Sequence, residues 1–396
     1  MKTALKSSML LLSVILMDIL GGAEVDLFTP SFPELSKQFN LSPFQLEALL
    51  SVNFIGYFLS LCVLGSLSDL YSRKWIIIIG LTIFIIGTLV CINSNAYIFL
   101  LLGRFMQGIG VAAPAILCYL IIADLYSLKK QQYLMAILSG FANASVGAAP
   151  IVGCYITSHF HWQGNFITLL IWSIIVLSTV ILFVPTNRNI VTASSSIVNN
   201  QNNFRSKFFI ILIINTICLY TPYWIFIGIS PILYIQDLGV SLDYFGFYQG
   251  IIASVFAVGS IFSGVFIKRY NHLKMLYLSV VVFAISLLCI ILVSVVDFKS
   301  PLLITLAFLL SVIGTIIPGT IFFPILINYL PNAKGKVTAF ITGSRLIFSA
   351  ILLQATGHFY DHTFFYTGLT ISLIGIIALI TMFMIIKDEE LKQYLN

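Results

Sequence analysis

Apolar residues run along this chain in long unbroken blocks, not in alternation. No Asp, Glu, Lys or Arg occurs from Gln131 to Thr186, or from Phe208 to Gln236. A bilayer core takes about 20 helical residues, and backbone polar groups in lipid must bond within their own segment. Such blocks therefore predict membrane-spanning helices, and their continuity excludes a β-barrel. The pattern predicts twelve spans, at about 8–29, 45–69, 75–93, 97–124, 134–158, 164–184, 207–235, 244–267, 275–296, 301–329, 337–358 and 363–386. Residues 186–206 break the pattern with Ser194, Ser195, Ser196 and the run Asn199-Asn200-Gln201-Asn202-Asn203. This reads as a polar linker joining a six-helix bundle at 1–185 to a second at 207–396.

Composition strengthens the membrane reading. Hydrophobic residues make up 59% of the 396 and charged ones 9%, where a soluble domain carries about 25%. The first span lacks a small-residue cleavage site and continues into acidic residues, so it is expected to be retained. Cys62, Cys91, Cys118, Cys154, Cys218 and Cys289 all fall within spans without a CxxC, which predicts small apolar side chains and neither a disulfide framework nor a metal site. No cofactor is expected. A phosphate-binding G-x-x-x-x-G-K-[ST] loop is absent from the sequence, which argues against ATP-driven work by this chain.

Basic residues set the expected orientation. With the N-terminus in the cytoplasm, sixteen of the 20 Lys and Arg residues fall on the cytoplasmic side. Lys37 and Lys299 lie outside, and Arg104 and Arg345 lie within spans. An even number of spans with both termini inside preserves that bias. The formal charge of +6 reflects it and does not point to nucleic acid. A weak repeat links the halves. Gly65-Ser-Leu-Ser-Asp69-Leu-Tyr-Ser-Arg73-Lys74 follows span two, and Gly264-Val-Phe-Ile-Lys268-Arg269 closes span eight.

Ionisable residues inside spans are costly and usually face a cavity. Asp18, Glu24, Asp26, Arg104 and Arg345 are such residues. If span one is a continuous helix, Asp18 sits roughly 15 Å deep and Asp26 two turns beyond it, about 80° around the same face. Glu24 points away from Asp26 and is expected to snorkel at the outer end. Desolvated carboxyls hold protons more tightly than hydrated ones, so Asp18 and Asp26 are expected to exchange protons, with Arg104 approaching Asp26 to unload it. Arg345 would bind an anionic substrate group or neutralise a span-one acid.

At these residues the chain resembles the major facilitator superfamily. The 65–74 loop is similar to its glycine-x-leucine-x-aspartate signature, with Leu70 and Ser72 where arginine and glycine are usual. That resemblance implies a cytoplasmic gate in which Gly65 allows close approach, Asp69 meets a helix end and Arg73 locks the gate. Leu101-Leu-Gly-Arg104-Phe-Met-Gln107-Gly108-Ile-Gly110 resembles the span-four motif, whose arginine is implicated in proton relay. Gly147-Ala-Ala-Pro150-Ile-Val-Gly153 resembles the antiporter motif of span five, with Ala149 and Cys154 in place of glycines. Asp18 and Asp26, followed by Leu27-Phe-Thr-Pro30-Ser-Phe-Pro33, are similar to the first span of multidrug exporters of the bicyclomycin/chloramphenicol-resistance type. So are Ser230-Pro231 and Lys334-Gly335-Lys336-Val337. Glu24 and Arg345 stand outside that pattern. The resemblance implies the all-α major facilitator fold, a bacterial inner-membrane location and a monomer.

The function expected is therefore proton-coupled export of drugs or similar lipophilic compounds, with no enzymatic role. One inward proton supplies about 4 kcal/mol, enough for a thousand-fold gradient of a neutral solute. The alternative is a dedicated exporter of one metabolite, siderophore-like or otherwise anionic, a reading favoured by Arg345. Proton-coupled uptake conflicts with the antiporter-like span five, and no Ser/His/Asp set suggests an enzyme. The substrate cavity is expected at mid-membrane between the halves. Its candidate lining is Asp18, Asn53, Tyr57, Tyr119, Tyr220, Tyr223, Trp224, Gln249 and Arg345.

Overall fold

The computed structural model describes residues 2–126, 128–186, 206–329 and 334–391. Its long helices are α1 (Lys2–Ala23), α3 (Pro43–Leu70), α4 (Arg73–Ile92), α5 (Tyr97–Leu125), α6 (Leu128–Phe183), α7 (Lys207–Pro231), α8 (Leu242–Arg269), α9 (His272–Val295), α10 (Pro301–Asn328), α11 (Lys334–Phe359) and α12 (Phe365–Lys387). A short α2 (Phe32–Phe39) intervenes after α1. α6 contains two crossings, because its direction changes at His161, where φ is 60° and ψ −179°. The described residues thus hold the twelve expected crossings and no strand. They form two six-helix bundles, as the resemblance implies. The linker expected at 186–206 lies almost wholly outside the described residues.

Local chemistry sets several helix starts. Ser42 accepts from the backbone N–H of Gln45, the Gln45 side chain accepts from the Ser42 N–H, and Pro43 opens α3. Asn271 caps α9 by accepting from the N–H groups of Leu273 and Lys274. The outer surface is apolar: Leu182 is 68% exposed, Leu288 67% and Leu373 65%. Side chains of that kind, repeated around the bundle, match hydrocarbon and not water.

Within the N-terminal half, α1 packs on α5 and α6, and α4 on α5. In the C-terminal half, α12 packs on α7 and α9, and α10 on α9 and α8. Two seams join the halves, α3 with α11 and α6 with α8. Small residues permit the close approach: a Cβ on Gly246 would meet the Cys154 side chain, and one on Gly250 the Ile151 side chain.

One element differs from expectation. Span one is not a continuous helix over 8–29; α1 stops at Ala23, residues 24–28 form turns, and Thr29–Ser31 is a single 3₁₀ turn before α2. Pro30 has no N–H to donate and disfavours helical geometry at Thr29, while Pro33 starts α2.

Candidate functional site

The turn stretch after α1 carries Glu24, Asp26 and Phe28, which face two different neighbours. Arg104 of α5 holds two of them. Its Nη1 donates to Glu24 Oε2 at 3.0 Å and to Gln107 Oε1 at 2.8 Å, and its guanidinium carbon lies 4.7 Å from the centre of the Phe28 ring. Arg104 Nε also donates to the Leu49 carbonyl at 3.4 Å. Gln107 in turn donates to Thr88 Oγ1 at 2.8 Å, so the cluster reaches α4. Glu24 and Arg104 are both fully enclosed, so Glu24 does not snorkel. Arg104 pairs with Glu24 and not with Asp26, contrary to the expected proton-unloading contact. Glu24 and Asp26 face opposite ways, as residues two apart on a helix do, and Arg104 stands on the Glu24 side.

The other side of the stretch is fixed by Asn165 of α6. Its Nδ2 donates to Ser31 Oγ and to Thr157 Oγ1, each at 2.7 Å. Gly153 is required here, because a Cβ would run into the Leu27 carbonyl. The glycine of the 147–153 motif thus lets α6 lie directly on the broken segment.

Asp26 is thereby turned toward the C-terminal half. Tyr223 of α7 donates to its Oδ1 at 3.5 Å, and Oδ2 has no hydrogen-bond partner. Asp26 lines a cavity of about 250 Å³ between the halves. Tyr220, Tyr223, Trp224, Phe256 and Phe308 form its aromatic wall, Ser311 and Thr315 are polar, and Arg345 of α11 lies across from the N-terminal half. The Arg345 guanidinium carbon sits 4.2 Å from the centre of the Tyr220 ring. Trp224 meets Phe54 edge-on at 5.0 Å.

Of the residues expected to line the substrate cavity, Tyr220, Tyr223, Trp224 and Arg345 do so together with Asp26. The others are placed elsewhere. Asn53 lies in the α3–α5 seam, donating to the Arg104 carbonyl at 3.2 Å. Asp18 faces α5 instead of sharing a face with Asp26. Tyr119 hydrogen-bonds to it, Cys118 Sγ lies 4.0 Å from its Oδ1, and its Oδ2 has no partner. Tyr57 is half-buried against the core near this group. Gln249 of α8 is buried with both side-chain polar atoms unpartnered.

At the gate motif, Arg73 Nε donates to Asp124 Oδ2 at 3.3 Å, a contact within the N-terminal half. The Asp69 side chain falls outside the described residues, and Gly65 is described only by its helical backbone. In the span-five motif, Pro150 is buried, and Gly147 abuts Ser254 of α8 at the seam.

Glu47 carries no distinguishing signal in the sequence, where a lone acid in the first turns of span two looks like an interfacial residue. It is fully enclosed, and neither carboxyl oxygen has a hydrogen-bond partner. A Cβ on Gly228 of α7 would strike its carboxyl, and one on Gly357 of α11 would come within 2.9 Å of its Cγ. The acid therefore plugs the junction of α3, α7 and α11 at the end of the bundle away from the N-terminus.

Residues 14–353 match the sequence pattern of the Major Facilitator Superfamily. The multidrug resistance protein MdtL of Citrobacter koseri is 24% identical over 222 residues, covering 56% of this chain and 57% of the relative. The MdtL of Klebsiella pneumoniae is 22% identical over 235 residues, covering 58% and 59%. Each match spans little more than half of the curated relative's length. Among solved structures, a D-xylose–proton symporter superposes with a TM-score of 0.76 at 15% identity, covering 94% of this chain and 96% of the symporter. An inward-facing bacterial homologue of the human lysosomal transporter Spinster gives 0.72 at 15% identity, covering 96% of each chain. The pattern match covers most of the chain, and the twelve-crossing architecture agrees with it: the protein is a multi-pass membrane protein that belongs to the Major Facilitator Superfamily, a family of transporters.

Proposed function

We propose that the chain exports drugs or similar small lipophilic compounds in exchange for protons, by alternating access of its two bundles. The observation that carries the reading is the placement of Asp26. Its carboxyl lines the inter-half cavity, with one long hydrogen bond and one unpartnered oxygen. An acid so placed meets a proton or a cationic guest, but not both. Competition of that kind is what an exchanger requires. The aromatic wall supports a tolerant, stacking pocket for lipophilic guests. The MdtL relatives support a drug substrate.

Asp26 then carries the exchanged proton. Asp18, with its own unpartnered oxygen beside Tyr119 and Cys118, is the second carrier. Arg104 acts as a positioning residue: by holding Glu24 and Phe28, two residues to either side, it aims Asp26 at the cavity. Gly147, Pro150 and Gly153 support the bend and the seam on which the halves rock. Gly65, Asp69 and Arg73 form the opposite gate. The basic-residue bias supports cytoplasmic termini, the polar composition of 186–206 supports a linker joining the halves, and the family resemblance supports a monomer in the bacterial inner membrane.

The test is transport by the purified chain in proteoliposomes with an imposed pH gradient, over cationic, neutral and anionic compounds. Wild type is expected to move lipophilic drugs against their gradient. Asp26→Asn is expected to lose gradient-driven transport while keeping substrate exchange without a gradient. Full coupled transport by Asp26→Asn rejects the assignment. Transport of one anionic metabolite and of no drug selects the dedicated-exporter alternative.

A further inference from the structure

Arg345 is half-buried in the cavity wall without an acid. Among the described residues it forms no ion pair, its Nε has no hydrogen-bond partner, and the Tyr220 ring at 4.2 Å is its recorded contact. Asp26 is its counterpart, an acid with no cation within pairing distance among the described residues. The two share the same cavity and are both held against α7. Tyr220 lies under Arg345, and Tyr223 donates to Asp26. Residues three apart on a helix are neighbours, with Cβ atoms about 5–6 Å apart. The guanidinium and the carboxyl thus line one cavity of about 250 Å³ without pairing directly, and one small molecule in it can touch both.

That arrangement discriminates by charge. A guest carrying only a positive group would pair with Asp26 and sit beside an unbalanced guanidinium. A guest carrying only a negative group would pair with Arg345 and face the carboxylate. Each case leaves a charge uncompensated in a water-poor site. A guest carrying both an ammonium and a carboxylate on an aromatic frame satisfies both. We propose that the cavity between Asp26 and Arg345 is a zwitterion site, taking amphiphilic aromatic amino acids in the broad sense, with the carboxylate on Arg345 and the ammonium on Asp26. The proposal rests on the exchange reading, because the ammonium takes the place of the proton on Asp26.

Three probes on one scaffold test it: an arylpiperazine carboxylic acid, its methyl ester and its N-acetyl derivative. These are zwitterion, cation and anion respectively. Binding to the purified full chain is measured calorimetrically, and transport in proteoliposomes under a pH gradient. The zwitterion is expected to bind about tenfold more tightly or better than either derivative. Arg345→Gln is expected to erase the zwitterion's preference over the ester, weakening zwitterion binding while ester binding holds or tightens. Arg345→Lys retains the charge and part of the preference. Equal or tighter wild-type binding of the ester or the N-acetyl compound overturns the proposal, as does an equal loss for all three probes in a folded Arg345→Gln. The wild-type ranking decides the matter if that variant does not fold. Zwitterion-selective binding with no gradient-driven transport refutes the exchange reading and leaves the site standing.

Discussion

Arg104 and Glu24 form an ion pair at 3.0 Å, with both side chains removed from solvent. They lie eighty residues apart in the chain, and their contact turns a break in the first helix into a defined shape. Breaking a buried pair from one side strands a charge, which costs about 3–5 kcal/mol. Glu24→Gln and Arg104→Gln are each expected to lower stability in that range. The double variant is expected to recover part of the loss, since no unpaired charge remains. Thermal unfolding in detergent gives the coupling energy through the double-mutant cycle. Additive losses contradict the pairing.

Asn165 holds the same stretch from the other side through Ser31 and Thr157. Asn165→Leu removes its bonds to Ser31, Thr157 and the Gly153 carbonyl and leaves the two buried hydroxyls only each other, at 3.2 Å. A loss of about 1–3 kcal/mol is expected, with reduced coupling of proton and substrate flux because Asp26 is no longer held in place. The check is the ratio of proton to substrate movement in proteoliposomes. An unchanged ratio would show that Asn165 serves stability alone.

Glu47 fills the junction with Gly228 and Gly357. Gly357→Val and Gly228→Val are expected to keep the two halves from closing at that end. Transport should fall about tenfold or more while the fold survives, because each half keeps its own core. Glu47→Gln keeps shape and volume and is expected to retain transport. Glu47→Lys places an unpartnered ammonium in the same enclosed position and is expected to abolish closure. Ala350 lies on the α3–α11 seam, where its carbonyl accepts from Ser51 at 3.0 Å, and the accessibility of Ala350→Cys to a water-soluble maleimide reports on that seam. Equal protection in wild type and the valine variants would contradict the closure role.

Tyr360, in the loop after α11, donates to Asp237 Oδ2 at 2.6 Å, and His362 Nδ1 lies 2.9 Å from Asp237 Oδ1. This ties the end of the π-helical turn Ile232–Asp237 to α11. Burial, and then the Asp237 carboxylate, push the Tyr360 phenol above its ordinary value. A raised phenol pKa means the bond contributes its full stability below the ordinary phenol value and loses it progressively as pH climbs from there through the raised value. Tyr360→Phe is expected to cost about 1.5–3 kcal/mol, as for a hydrogen bond to a charged group. The loss should be constant from about pH 6 to 9, within the neutral-phenol range. Unfolding curves across that window are the measurement, and a loss that vanishes at the alkaline end would contradict it.

Residues differ in how far sequence alone reveals their place. Asp26 and Arg345 are recognisable as cavity residues because a charge in an apolar block has few other places to go. Tyr223 and Trp224 are among several aromatics of equal standing, and only packing separates them from Tyr57 and Tyr119, which face other helices. Glu47 gives no such signal, because an acid near a helix start ordinarily meets water. Here α7 and α11 each present a glycine to it, and those helices lie far along the chain. Span one reads as continuous although Pro30 and Pro33 stand in plain view. Membrane helices often tolerate proline, as Pro114 in α5 and Pro222 in α7 do.

The sequence alone determined the number of crossings, the apolar outer surface and the presence of buried charge. Those follow from bilayer thickness and the cost of desolvation, which act on each segment separately. Tertiary structure decided which acid met Arg104, which acid faced the cavity, and that Arg345 had no acid beside it among the described residues. Such pairings depend on the rotation and breakage of helices against neighbours distant in the chain. A one-residue change of phase at Glu24 or Asp26 turns a side chain by about 100°, enough to exchange one partner for another.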